Sequence, residues 1–301
     1  MQKIAIGSFT WVNLAAPSKK DIKTILADEY HFHHLAIEDC LSTIQQPKID
    51  DYDDYIFMVF HLPRFIKRQQ RTVALELDVF LGKDYLVTVH DGDLKPFNNL
   101  FEELKNDPQN LKYQNPSYLL YEILSRSFSY CFPMLEKVAQ KLDKVEDDLY
   151  VDQSRKTLEE ISVLAQDIIN FRRIIRPQRY FIKDLESMKS KFIAEDFELY
   201  FNDIEDKIDR IWNTLDSYQD VCNVLMRTNE SILTQRLNEV IKTLTIISVI
   251  MLPLTVITGF YGMNVTGLPF AQHQYAAQIV TAILFIVIAT MLYYFKRNRW
   301  L

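Results

Sequence analysis

Small polar side chains recur along one line of the apolar C-terminal part of the chain. Four of the six members are small and polar, and on a helix their spacings of 3, 4, 3, 4 and 3 form a heptad seam: Asn238, Ile241, Thr245, Ser248, Leu252 and Thr255. Several copies around an axis, with the seam inward, can shield these groups and enclose water as a pore does. The same hydroxyls can instead bond back to their own helix or join neighbouring helices. Both interpretations are open on spacing alone.

The seam lies in a region that predicts a membrane hairpin. No Asp, Glu, Lys or Arg occurs from Thr243 to Phe295, and the uncharged loop GFYGMNVTGLPF separates two apolar runs, 244–260 and 276–295. About 20 helical residues cross the hydrocarbon layer of a bilayer, so both runs predict membrane spans. Basic residues flank the pair and are absent from the loop, which predicts that both termini are cytoplasmic in a plasma or inner membrane. A single hairpin cannot shield a polar seam, so the sequence predicts a homo-oligomer.

Composition limits the ligands that residues 1–242, which precede the predicted spans, can bind. The 301 residues hold 34 Lys and Arg against 40 Asp and Glu, for a formal net charge of −6. The last 59 residues contain three of these basic residues and no acidic one, so residues 1–242 carry −9. An acidic surface argues against nucleic acid as a partner and is compatible with attracting divalent cations. Cys40, Cys131 and Cys222 are widely separated and indicate neither a disulfide framework nor a zinc site.

The region before the spans predicts an α+β fold in two parts. Residues 55–62, 73–82 and 84–90 read as strands, with Gly82, Lys83 and Asp84 forming a hairpin turn in an α/β domain of residues 1–115. A helical stalk follows over residues 116–242. One helix is predicted from Pro116 to about Tyr150, a second until Pro177, and a third from near Asp196 directly into the first span. Residues 243–301 form the transmembrane hairpin, whose outer loop is 261–275.

The motif Tyr261-Gly262-Met263-Asn264 after the first span resembles the CorA family of divalent-cation channels. An internal MLPLT, the second span, the ending YFKRNRWL and the stretches IEDCLSTIQQPKIDDYDDYIF, LLYEIL and NEVIKTLTII extend the resemblance over essentially the whole chain. It implies a funnel-shaped homopentamer that conducts Mg²⁺, with Co²⁺ and Ni²⁺ as further candidates. Residues 261–264 then form the selectivity filter, where five Asn264 amides offer neutral acceptors to a hydrated ion. The pore-lining positions are Asn238, Ile241, Leu244, Thr245, Ser248, Leu252, Thr255 and Gly259.

The resemblance also implies gating by cytosolic Mg²⁺ bound between subunits. The matching residues are Glu38 and Asp39 in the α/β domain and Asp203 on the long helix. A cation that bridges acidic groups across an interface creates a two-state element that reports the cytosolic Mg²⁺ concentration. Mg²⁺ is therefore expected as both the transported and the regulatory ion. A further acidic position of some family members corresponds to Ser125, so this chain departs from them there.

Two alternatives remain at this stage. The loop continues as VTGLPFAQHQ, without the acidic residue of many Mg²⁺-conducting members, and its His273 favours a zinc transporter of the ZntB type as the second choice. In a different class, the spans could merely anchor a cytosolic sensor or enzyme. The sequence has no glycine-rich phosphate loop, nucleophile elbow or His-Glu-x-x-His motif, and His31, His33 and His34 form only a weak metal-binding pattern.

Overall fold

A computed structural model describes most of the chain. The described residues are 2–42, 46–92, 95–107, 115–151, 155–188, 192–193, 197–265, 268–269, 273–298 and 300. They divide into two compact units, Met1–Met226 and Arg227–Leu301. Asp196, Arg299 and part of the predicted outer loop lie outside the described residues.

Within the described residues of the first unit, six strands form one mixed sheet. They are β1 (Gln2–Ile6), β2 (Phe9–Ala15), β3 (Lys48–Asp51), β4 (Tyr55–Ile66), β5 (Arg71–Gly82) and β6 (Tyr85–His90). The order is β1-β2-β6-β5-β4-β3, and only the β2–β6 pair is parallel. The predicted hairpin turn lies between β5 and β6. Packing against Tyr85 explains why the first residue of this turn is a glycine, because a Cβ on Gly82 would lie 2.3 Å from the Tyr85 ring.

Helices cover both faces of this sheet. One layer contains α1 (Lys19–Ile22), a π-helical segment (Lys23–Glu29) and α2 (His34–Leu41); the chain after the sheet forms α3 (Lys95–Asn106), α4 (Pro116–Ser129), α5 (Cys131–Val151) and α6 (Arg155–Ser187). Phe32 stacks on Phe80 on the first face, with ring centroids 4.2 Å apart. On the other face Phe60 packs edge-on against Phe181 of α6 at 4.5 Å. Each such buried ring contributes about 1.5–3 kcal/mol.

Two helix boundaries differ from the predictions. The helix expected from Pro116 to Tyr150 is divided at Tyr130 into α4 and α5. Pro133 lies in the first turn of α5, where its missing N–H is tolerated. The helix expected to end at Pro177 continues to Ser187. Phe181 and Leu185 are buried beyond the proline, and their packing offsets the cost of a proline inside a helix, about 3 kcal/mol.

The third predicted helix is continuous with the first span. It is α7 (Glu198–Tyr261), and α8 (Ala276–Arg297) contains the second predicted span. Both helices are long and apolar enough to cross a membrane. Only 6% of the residues in the most apolar part of α7, and 0% in that of α8, are buried. These segments are therefore exposed in the single chain, unlike the core helices of a soluble domain, and they are candidate membrane spans.

Candidate ion pathway and cation-sensing carboxylates

The predicted pore-lining residues follow one exposed side of α7 in the second unit. Ile241, Leu244 and Leu252 are 58%, 59% and 67% exposed, although all three are large and apolar. Asn238, Ser248, Thr255 and Gly259 are also exposed, and Thr245 is partly buried. The single chain buries Ile246 and partly covers Ile250, Pro253, Leu254 and Ile257. At 3.6 residues per turn this second set lies on the opposite side of the helix. The seam therefore lies within the broad side of α7 that one chain leaves uncovered.

The threonine hydroxyls of the seam bond to their own helix. Thr245 Oγ1 donates to the carbonyl of Ile241 at 2.7 Å, and Thr255 Oγ1 donates to that of Met251 at 2.9 Å. This is the local bonding that the sequence left open as an alternative. It uses the hydroxyl proton and leaves the oxygen lone pairs as acceptors. Thr245 and Thr255 therefore present acceptors, which suit a hydrated cation.

The predicted filter residues lie at the C-terminus of α7. The helix ends at Tyr261, the N–H of Gly262 donates to the Thr258 carbonyl at 2.8 Å, and Asn264 is exposed beyond the last turn. A Cβ on Gly262 would lie 3.0 Å from that same carbonyl oxygen, so close approach explains the glycine. Neither Gly259 nor Gly262 has a positive φ. The C-terminal end of a helix carries partial negative charge, which favours cations near Asn264.

Asp203, the predicted sensor residue on α7, is held by neighbours in its own chain. Its Oδ2 accepts hydrogen bonds from Tyr121 Oη at 2.9 Å and from Lys207 Nζ at 2.6 Å. Lys207 also donates to Ser125 Oγ at 2.6 Å. Burial raises the pKa of Asp203, but the hydrogen bonds from Lys207 and Tyr121 outweigh it and hold the pKa below its usual value. The carboxylate is ionised at neutral pH and is already partly neutralised by a lysine.

A second lysine occupies the other part of the predicted sensor. Lys48 Nζ donates to Asp39 Oδ2 at 2.5 Å and forms an ion pair with Asp50 at 2.8 Å. Burial lowers the pKa of Lys48, but its hydrogen bonds to Asp39 and Asp50 more than offset this and leave the pKa raised. Glu38 is exposed and forms no ion pair with any described residue. Each predicted aspartate therefore accepts a hydrogen bond from a lysine of its own chain.

One chain does not assemble the predicted sensor residues. Among the described residues, no three His, Cys, Asp or Glu side chains are grouped so that they could hold a metal ion. Asp39 and Asp203 nevertheless retain a second carboxylate oxygen, Oδ1, that accepts no hydrogen bond within the described part of the chain. These free oxygens fit Mg²⁺, which is usually held by few carboxylates and several waters.

The histidines considered as metal ligands have local structural roles. His33 is the N-cap of α2 and accepts from the N–H of Leu35 through Nδ1 at 3.3 Å. Nδ1 of His31 lies 2.9 Å from the carbonyl of Ala27. In the outer loop, Nδ1 of His273 accepts from the N–H of Tyr275 at 3.2 Å. His31, His33 and His273 thus each have one ring nitrogen engaged by nearby backbone, and the ring of His34 packs against that of His33 with centroids 4.4 Å apart.

Sequence reasoning missed the two lysines. Lys207 follows Asp203 by four residues, a spacing that brings oppositely charged side chains together on a helix. The sequence alone could therefore have predicted this ion pair. Lys48 reaches Asp39 through the pairing of β3 with β4, in which Lys48 faces Val59. That contact depends on strand register, which the sequence alone leaves undetermined.

Comparison with known proteins supports the resemblance over nearly the whole chain. A family model described as CorA-like Mg²⁺ transporter protein matches residues 7–297. The metal ion transporter YfjQ of Bacillus subtilis is 31% identical over 96% of this chain and 89% of its own length. The cobalt/magnesium transport protein CorA of Thermotoga maritima is 25% identical over 97% of this chain and 83% of its own.

A solved structure shares the fold. The CorA magnesium transporter from Methanocaldococcus jannaschii superimposes with a TM-score of 0.90 at 20% sequence identity, covering 100% of this chain and 95% of that one. The predicted combination of an α/β domain, long helices and two C-terminal spans is confirmed. The predicted membrane location is confirmed as well, and membership makes the protein a transporter rather than an anchored enzyme. The chain belongs to the family of CorA-like Mg²⁺ transporter proteins and is a membrane transporter of divalent metal ions.

Proposed function

We propose that the protein takes up Mg²⁺ through a homopentameric pore, with Co²⁺ and Ni²⁺ as further permeant ions. The observation that carries the proposal is the exposed seam on α7. It combines polar acceptors with three large apolar side chains, on the side of the helix that one chain leaves uncovered. Around an axis, the apolar members Ile241, Leu244 and Leu252 form constrictions that close by dewetting. The polar members supply the acceptors between them.

The proposed filter is the ring of residues Tyr261 to Asn264. Mg²⁺ sheds its water reluctantly, so neutral oxygens that contact the hydration shell suit it better than a tight cage of carboxylates. The Asn264 amide oxygen and the partial negative charge at the end of α7 both support this assignment. The zinc alternative draws on His273, whose Nδ1 is engaged with the backbone of Tyr275. Mg²⁺ is therefore the ion we favour.

Accessibility of the seam to a reagent tests the pore directly. In liposomes bearing Leu252→Cys, a cationic thiol reagent should block Mg²⁺ flux, because a reacted pore-lining thiol narrows the pathway. Ile247→Cys is the matched control, since Ile247 is also exposed in one chain, at 54%, but lies off the seam. Block of both variants, or of neither, would contradict the assignment. The unsubstituted protein measures how far the reagent acts through the native cysteines, of which Cys131 and Cys222 are buried and Cys40 is half-buried.

Competition among Mg²⁺, Co²⁺, Ni²⁺ and Zn²⁺ in the same assay tests the ion. The proposal expects Mg²⁺ to compete most effectively for entry when the four ions are supplied at equal concentration on the side from which they are taken up. Zn²⁺ uptake that exceeds Mg²⁺ uptake and is lost in His273→Ala would assign the zinc function instead.

For regulation, we propose that cytosolic Mg²⁺ binds between subunits at Glu38, Asp39 and Asp203 and holds the channel closed. Both aspartates keep one free carboxylate oxygen, and Glu38 is exposed. The lysines at Asp39 and Asp203 then compete with the bound cation. Closure therefore requires Mg²⁺ to weaken or displace these ion pairs, which raises the Mg²⁺ concentration at which the channel responds.

A further inference from the structure

A cavity of about 600 Å³ opens on the first unit, apart from the ion pathway and the carboxylates described above. Its walls come from the turn between β4 and β5, the start of α3, and the facing sides of α5 and α6. Volumes of 300–1,000 Å³ are typical of sites for small ligands. Nothing in the transport function requires a cavity here, so its lining decides what it can bind.

Positive charge dominates this cavity. Of the 16 described residues that line it, six are cationic: Arg64, Lys67, Lys95, Lys137, Lys141 and Lys144. One is acidic, Asp167, which is buried and accepts a hydrogen bond from the backbone N–H of Thr72. Residues 1–242 carry a net charge of −9, so the local excess does not follow from a basic composition. The lining concentrates cations within an acidic domain.

Most of these cations are not neutralised by the protein itself. Lys67, Lys95, Lys137 and Lys144 are exposed and form no ion pair within the described part of the chain. Lys137, Lys141 and Lys144 lie at spacings of four and three on α5, and so share one face of that helix. Like charges one turn apart repel each other, and a bound anion relieves this repulsion. The geometry favours a ligand with several negative charges.

The rest of the lining is apolar and aromatic. Phe65, Met134, Val138 and Phe171 contribute to the floor, and Tyr130 is 42% exposed at the break between α4 and α5. Lys141 lies over the Phe65 ring, 5.0 Å from its centroid. An exposed aromatic ring beside ammonium groups can stack on a planar base while the lysines bind phosphate oxygens. A single phosphate would neutralise too few of the six cations.

We propose that this cavity binds a polyphosphate chain, and that a nucleoside triphosphate is the ligand whose size and base match the remaining lining. Three linked phosphates satisfy the lysines of α5 together with Lys67 and Lys95 from the facing walls. The base then occupies the apolar side at Tyr130. This site is independent of the proposed pore, because its residues belong to neither the seam nor the carboxylates.

Calorimetric titration of the full-length protein in detergent, with EDTA present to exclude Mg²⁺, tests the proposal. ATP and inorganic tripolyphosphate are the two probes. Both should bind saturably, and tighter binding of ATP would assign a nucleotide, whereas equal binding would assign the phosphate chain alone. Absence of saturable binding of either probe at millimolar concentration would overturn the proposal, whatever the flux assays show.

A double variant locates the binding. Lys137→Gln with Lys144→Gln should weaken binding about tenfold, since two solvent-screened charge contacts are lost. The matched control is Lys20→Gln with Lys23→Gln, which removes the same charge from an exposed segment outside the cavity and should change affinity less than about twofold. Circular dichroism and elution volume should match the unsubstituted protein, because all four lysines are exposed. Equal affinity of the two double variants would overturn the assignment to this cavity.

Discussion

Replacing Lys207 by glutamine should make the channel close at lower cytosolic Mg²⁺. Lys207 contacts Asp203 Oδ2 and Ser125 Oγ, both at 2.6 Å, so it holds the carboxylate that we propose as a Mg²⁺ ligand. Its side chain is 23% exposed and that of Asp203 is 44% exposed. Solvent therefore screens the pair, and its free energy lies near the top of the surface range, about 1 kcal/mol. When this ion pair is removed, Mg²⁺ no longer competes with it for Asp203, and the gain of about 1 kcal/mol in Mg²⁺ binding lowers the half-closing Mg²⁺ concentration about fivefold.

The assay is Mg²⁺ flux into liposomes of fixed orientation, measured against Mg²⁺ concentration on the cytoplasmic side. Lys183→Gln is the matched control, because Lys183 also pairs with a carboxylate of α7, Glu205 at 2.9 Å, but does not contact Asp203. The half-closing Mg²⁺ concentration of this control should lie within about twofold of that of the unsubstituted protein, as expected for the loss of an exposed ion pair. An unchanged or higher half-closing concentration in Lys207→Gln would refute the idea that the lysine competes with Mg²⁺.

Three further predictions concern the sensor, the fold and the pore. Asp203→Ala should weaken closure by cytosolic Mg²⁺, and an unchanged dose response would argue against the sensor. Burial raises the pKa of Asp78 to about 8, so the native state retains a proton that the unfolded chain releases above about pH 4, and stability falls as pH rises from 4 to 8. Asp78→Asn should therefore raise the thermal unfolding midpoint at pH 8 and have a much smaller effect at pH 5; an equal shift at both values would contradict this. Thr255→Val removes a proposed pore acceptor and should lower Mg²⁺ flux severalfold, whereas Thr281→Val, which removes a hydroxyl bonded to α8 itself, should not; equal effects would place Thr255 off the pathway.

The membrane helices could be predicted from the sequence because the features that a bilayer requires of them are local in the chain. A bilayer requires long apolar helices, and the spacing of Thr245, Ser248, Leu252 and Thr255 fixes which side of α7 they share. The structure adds that this side is the one left uncovered by the single chain. The threonine bonds to the preceding turn were foreseen as an alternative and coexist with an acceptor role.

The cytosolic unit was less predictable because its contacts join distant parts of the chain. Local signals suggested a helix end at Pro177, yet the buried side chains that follow it keep α6 intact to Ser187. The strand order places β6 beside both β2 and β5, a pairing that hydrophobic alternation does not specify. The cationic cavity likewise combines lysines from separate elements, so no single stretch of sequence reveals it.

Mg²⁺ flux through the filter variant Asn264→Ala tests the central claim most directly. Liposomes bearing the unsubstituted protein, Asn264→Ala and Gln274→Ala would be compared for Mg²⁺ entry at equal protein content. Gln274 is a matched control, because it is another exposed amide in the same loop beyond the filter. We predict that Asn264→Ala loses most of the flux while Gln274→Ala retains it. Unaltered flux through Asn264→Ala would contradict a pore whose outer filter is the Asn264 ring.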